Sequence, residues 1–214
     1  MPLICAARKP LSIAGADCRI VEDLSQSTDW THCLSGVQTV IHCAARVHVM
    51  RESASNPLTL FRQVNVAGTL RLAEQAAAAG VQQFIFLSSV KVNGEETMPG
   101  AAFTEDCAPL PIDPYGISKY EAEQALLALG QQTGMAITII RPPLVYGPGV
   151  GANFLSMLKW VKRGIPLPLG SIRNQRSFVF IDNLVSLVLC CIQHPQASNQ
   201  VFLVSDGQDM STTD

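Results

Sequence analysis

Short, continuous apolar runs separated by helix-length segments constrain this chain more than any other feature. The runs Leu3–Ala7, Arg19–Glu22, Val37–Ala44, Gln83–Ser88, Ala136–Arg141 and Val201–Val204 read as strands. Several lack the polar alternation of a sheet with one wet face, as strands covered on both sides do. Between them lie the alanine-rich Pro57–Ala79, closed by Gly80, and Pro114–Leu129, closed by Gly130. Each has helical length and a glycine stop. Two more helices are predicted over Asn153–Arg163 and over Asp182–Gln193, the latter ahead of Pro195. Crossovers of this length demand a parallel sheet with helices on its faces, so the predicted class is α/β, doubly wound. Beyond Tyr146 glycine and proline become frequent (GPGVG, then GIPLPLG), which divides the chain into a sheet-forming part, residues 1–146, and a loop-rich part, residues 147–214. Loops beyond strand ends are where such folds place substrate contacts.

Composition narrows the chemistry. The 214 residues are 48% hydrophobic and 15% charged, enough apolar matter for a sizeable core and too little charge for disorder. Fifteen basic against seventeen acidic residues give a net charge of −2, and without a basic stripe a nucleic-acid partner is not expected. The longest apolar stretches, such as Leu184 to Ile192, fall short of the ~20 residues a membrane span needs. The opening MPLICAARKP has no charged segment ahead of its apolar residues and reads poorly as a secretion signal. Seven scattered cysteines, an odd number without CxxC spacing, fit a reducing cytoplasm better than a disulfide framework. His32, His48 and His194 share no ligand spacing, so no metal is expected. His42 reads as a hydrogen-bonded structural histidine.

The stretch that carries chemistry is YGISK, Tyr115 to Lys119. Positions i and i+4 share a helix face, so phenol and ammonium can enter one site. A free phenol has a pKa near 10 and is a poor base at neutral pH. Lowering it by ~3 units takes about 4 kcal/mol of differential stabilisation, which fixed positive charge in a semi-buried cleft can supply. The strand FIFL runs into Ser88-Ser89, and a serine at a strand's C-terminal end sits where open α/β sheets hold their ligands.

The segments VIHCAA (Val40–Ala45), NVAGT (Asn65–Thr69), FIFLSSVKVNG (Phe84–Gly94), YGISK, IRPPLVYGPG (Ile140–Gly149) and RSFVFIDNL (Arg176–Leu184) follow one another in a fixed order. In this the chain resembles the extended short-chain dehydrogenases/reductases, specifically their nucleotide-sugar epimerase/dehydratase group. The resemblance implies a Rossmann-like fold, an NAD cofactor, a UDP-sugar substrate and 4-epimerisation, in a cytoplasmic homodimer paired through Pro57–Ala79 and Pro114–Leu129. It implies that Ser89, Tyr115 and Lys119 are catalytic. Asp23 and Leu24 would lie by the adenine, Cys43, Ala44 and Ala45 along the dinucleotide, and Asn65, Ser88 and Pro142 near its nicotinamide half. Asn153 and Arg176 would hold the substrate's diphosphate, a task that suits the planar fork of an arginine.

The chain also departs from that pattern. Leu3–Ala7 is followed by RKPLSIAGAD and another strand, with no GxxGxxG and little room for a crossover helix of roughly 10–12 residues. We therefore read Leu3–Ala7 as the family's second strand, with the first βα unit missing and the chain a piece of a longer enzyme. The family's second and fourth strands then lack their shared central partner. Arg8 ends the first visible strand where NAD enzymes carry an acidic residue, which makes NADP possible and a UDP-4-keto-6-deoxy-sugar reductase the alternative reaction; a non-catalytic remnant is the third. Asn93 replaces the usual tyrosine after the serines, and Leu144 a frequent asparagine, which puts the sugar pocket in doubt.

Overall fold

The computed structural model describes residues 2–47, 56–164 and 174–211. Strand β1 (Leu3–Ala7) pairs in parallel with β2 (Ala16–Ile20). A second parallel sheet has the order β3 (Thr39–His42), β4 (Gln83–Leu87), β5 (Ala136–Arg141) and β8 (Val201–Leu203). Strands β6 (Leu144–Tyr146) and β7 (Phe178–Phe180) form a third, two-stranded parallel sheet. No ladder joins β1 to β3, so the two larger sheets meet without a shared strand among the described residues.

Alternation along β4 and β5 builds a core on each face of the four-stranded sheet. Phe84, Phe86, Ile137 and Ile139 face one side, packed under Leu72, Ala73, Ala76, Ala122 and Leu126 of the helices. Ile85 and Ile140 face the other, with Val179, Leu184, Cys191 and Ala197. Both faces are dry, which is why these strands read as unbroken apolar runs.

The helices follow local chemistry. Helix α2 (Pro57–Phe61) opens with proline in its first turn and with the Asn56 side-chain Oδ1 accepting the Thr59 N–H at 3.4 Å. It continues through a π-helical stretch, Arg62–Gly68, into α3 (Thr69–Ala78). Helix α4 (Pro114–Thr133) starts at Asp113, whose carboxylate accepts the Gly116 N–H at 2.5 Å. It runs past the predicted stop at Gly130 and ends at Gly134, where φ is +78°. Gly130 serves packing instead: a Cβ there would lie 2.6 Å from Ile137 Cγ1. Helices α5 (Ala152–Lys162) and α6 (Ile181–Gln193) lie within one residue of their predicted bounds. Short elements that were not anticipated include α1 (Thr31–Leu34), β6 and β7, and β2 begins earlier than its apolar run suggests.

Among the described residues no helix is long and apolar enough to cross a membrane, and no group of three or more metal-ligating side chains converges. All seven cysteines are free.

Candidate active site

Ser88 and Ser89 leave the C-terminal end of β4 and are laced onto the end of β5. The Ser88 N–H donates to the Ile140 carbonyl at 2.7 Å, and the Val90 N–H to the Pro142 carbonyl at 3.0 Å. Helix α4 then brings Tyr115 and Lys119 to the same edge, one turn apart on one face. The Ser89 hydroxyl lies near enough to the Tyr115 phenol to draw its pKa down. The predicted trio therefore converges.

Lys119 is 2% exposed and reaches between the sheet and α4. Its Nζ donates to the Leu87 carbonyl at 2.6 Å and stands 4.0 Å above the Phe86 ring. Burial pushes its pKa down to about 7, against the opposing pull of the Glu123 carboxylate. Against Phe86 stacks His42 of the neighbouring strand, whose Nε2 meets Thr69 Oγ1 at 2.9 Å. Burial, and then the nearby Lys119 charge, hold His42 down at about 3, so it is a neutral structural histidine and no acid or base.

Tyr115 departs from the simple expectation. Burial pushes its phenol up, and the Asp113 charge adds to the rise. The Ser89 hydroxyl and the positive charge of Lys91 pull it back down. Lys91 thus lowers the phenol's pKa, while the Lys119 ammonium is bonded to the Leu87 carbonyl. The sequence reading passed over Lys91.

The other candidates divide. Asn65, 1% exposed, uses its amide on structure: Oδ1 accepts the Arg46 N–H at 2.7 Å, and Nδ2 donates to the Arg46 carbonyl and to Ser118 Oγ, both at 3.0 Å. It fixes the loop after β3 to α4. Cys43 and Ala44 are exposed beyond β3 and Ala45 is half-buried, an open rim at the strand end. Pro142 is buried behind the serines. Arg8 is exposed at the end of β1. Leu24 is buried in the core, while Asp23 is exposed and accepts the Leu24 N–H at 2.7 Å. Arg176 is exposed and its backbone bridges to Met210. Asn153 lies near the start of α5, and its side chain is outside the described residues.

Asn93 is not a pocket residue. At 3% exposure it accepts a hydrogen bond from Arg141 Nη1 at 3.1 Å and donates to the Thr104 carbonyl at 3.1 Å. Arg141 in turn forks onto Glu123 of α4 at 3.0 and 2.6 Å, one turn beyond Lys119. This buried network, spread over three elements, also escaped the sequence reading.

A dinucleotide has partial support in these residues. Ser88 Oγ is buried without a partner, Lys119 is held at the strand end, and the β3 rim is open. These fit the nicotinamide-ribose half. The described residues contain no GxxGxxG turn to take the pyrophosphate; the glycine-rich Gly147–Gly151 that leads into α5 is interrupted by Pro148 and follows β6, a late strand.

The pattern of the NAD dependent epimerase/dehydratase family matches residues 6–205. The chain belongs to this family. It is 54% identical over 195 residues to a UDP-glucose 4-epimerase of Vibrio cholerae, covering 91% of this chain and 60% of that protein. Its fold matches MoeE5 in complex with UDP-glucuronic acid and NAD at a TM-score of 0.82 and 28% identity, over 98% of this chain and 70% of the other. A UDP-glucuronic acid 4-epimerase from Bacillus cereus, in complex with UDP-glucuronic acid and NAD, matches at 0.81 and 25% identity, over 94% and 64%. The chain thus spans about three-fifths of the length of its Vibrio cholerae relative.

Proposed function

We propose that this protein is an NAD-dependent nucleotide-sugar epimerase that inverts C4 of a UDP-sugar. The observation that supports this reading most is the meeting of Ser89, Tyr115 and Lys119 at one strand end, in a chain 54% identical to a UDP-glucose 4-epimerase. In this reading Ser89 binds the sugar O4, and Tyr115 accepts its proton and returns it. Lys119 holds the cofactor ribose, as its burial at the end of β4 suits. Ser88, Cys43, Ala44, Ala45 and Pro142 line the cofactor, with Arg8 and Asp23 toward its adenosine. Arg176 and Asn153 engage the diphosphate of the substrate. NAD, when bound, supplies a hydride acceptor and a positive ring beside the phenol. Pairing of two copies through α2–α3 and α4 belongs to the same proposal.

The test is conversion of UDP-glucose to UDP-galactose with no net change in nicotinamide absorbance. Tyr115→Phe should abolish turnover yet leave the thermal shift given by NAD, about 2.7 kcal/mol of added stability at a hundredfold excess over Kd. Full turnover by Tyr115→Phe would sink the mechanism. Consumption of NADPH with a UDP-4-keto-6-deoxy sugar, without epimerisation, would replace it with the reductase that Arg8 favours.

A further inference from the structure

We propose that Lys91 is a positioning residue of this site, clamping the turn that carries Ser89 to the helix that carries Tyr115. The inference rests on the reading of Ser89 and Tyr115 as the reacting pair, but its own test does not need turnover.

Four contacts make the clamp. The Lys91 N–H donates to Ser89 Oγ at 3.2 Å, fixing the serine rotamer from its own turn. The Lys91 ammonium bonds the Asp113 carboxylate, and Glu95 at 3.0 Å. Asp113 is the N-cap of α4, its other oxygen holding the Gly116 N–H. The Lys91 carbonyl also presses on the first turn of α4, where a Cβ at Gly116 would stand 2.9 Å from its oxygen. One residue therefore touches the serine, the cap and the backbone beside Tyr115.

Among the described residues, these charges surround the pair. Asp113 and Glu95 face Lys91, and their bonds raise its pKa although burial alone would lower it. Tyr115 faces Ser89, Asp113 and Lys91, with the Phe61 ring edge-on at 6.2 Å and Arg46 over that ring. Farther along α4, Lys119 is engaged with Leu87, and Glu121 with Arg62. Lys91 and Asp113 thus act on the phenol with opposite signs: the cation favours phenolate and the carboxylate opposes it. That opposition separates positioning with charge from mere structural support.

The experiment is an ultraviolet titration of the Tyr115 phenolate, taken as the difference between each protein and its Tyr115→Phe counterpart. Lys91→Met should move the Tyr115 titration upward and reduce kcat about ten- to a hundredfold at neutral pH, with little change in KM. Lys91→Arg should restore both. Asp113→Asn keeps a good cap but removes the opposing charge, so it should move the titration downward. Circular dichroism and a cooperative melt establish that each variant folds. The proposal is overturned if Lys91→Met leaves titration and kcat unchanged, or if both variants shift the titration in the same direction. Turnover that survives Tyr115→Phe would instead remove the catalytic reading, while the titration still decides whether Lys91 and Asp113 set the phenol.

Discussion

The four-stranded sheet and the β1–β2 pair are both parallel, yet they are held in different ways. In β4 the three central residues are buried, and in β5 all but the first. No residue of β1 or β2 is buried, and Leu3 and Ile20 are 48% and 57% exposed. What anchors the pair is the chain that follows it: Val21, Leu24, Trp30, Cys33 and Leu34 enter the core that α3 and α4 share. The serines leave the end of the covered sheet, and Tyr115 and Lys119 stand on helix α4 packed over it. Arg8 stands on the exposed pair. In the proposed reading, substrate chemistry and cofactor selection would draw on parts of the molecule with different stability, and local opening should begin at β1 and β2.

The largest effect that would sharpen this contrast lies under the covered sheet. Arg141→Met leaves Glu123 charged and buried, and should cost about 3–5 kcal/mol in urea unfolding. Replacing both by apolar residues of similar volume should recover most of that, because a buried pair contributes little beyond its mutual compensation. A loss below 1 kcal/mol for the single variant would mean that water reaches the network. Next in size is an acid limb. The His42 imidazole stays neutral in the fold down to about 3, whereas in the unfolded chain it protonates near 6.5. The unfolded state then binds the extra proton, so stability falls as pH drops through that window, by about 1.4 kcal/mol per unit. His42→Gln should flatten this limb, a difference of about 2–3 kcal/mol by pH 4.5 in the pH dependence of thermal unfolding.

How much of this was legible depended on whether the signal was local. YGISK reads as a site because four residues on a helix bring its ends together, and β5 reads as a buried strand because alanine and isoleucine fill four of its six positions. Lys91 was not legible: its partner Asp113 lies beyond a loop with no pattern of its own, and only the folded chain puts them together. The same holds for Asn93, whose polar side chain looked like a change in a pocket and is a buried partner of Arg141. The π-helical stretch hides inside an ordinary helical period, and its buried Asn65 bonds to Arg46 and Ser118 on other elements. Gly130 misled because a glycine near a helix end resembles a stop, whereas here it admits Ile137.

The two smallest predictions probe the exposed pair and its anchor. Gly68 closes the π-helical stretch, and a Cβ there would meet the Leu24 backbone carbon and oxygen at 2.9 Å. Backbone yields poorly, so Gly68→Ala should cost about 1–3 kcal/mol. It should also weaken NAD binding by displacing the Asp23–Leu24 turn, with the Tyr115 titration unmoved, as calorimetry and absorbance would show. At the bottom of the scale is Ile20→Thr. Ile20 is more than half exposed on an edge of the pair, so its replacement should change stability by no more than about 0.5 kcal/mol. A urea midpoint shift worth 2 kcal/mol would mean that β2 is covered in solution. The contrast between the two sheets would then be a property of this chain taken alone, since a covered β2 has no reason to open first.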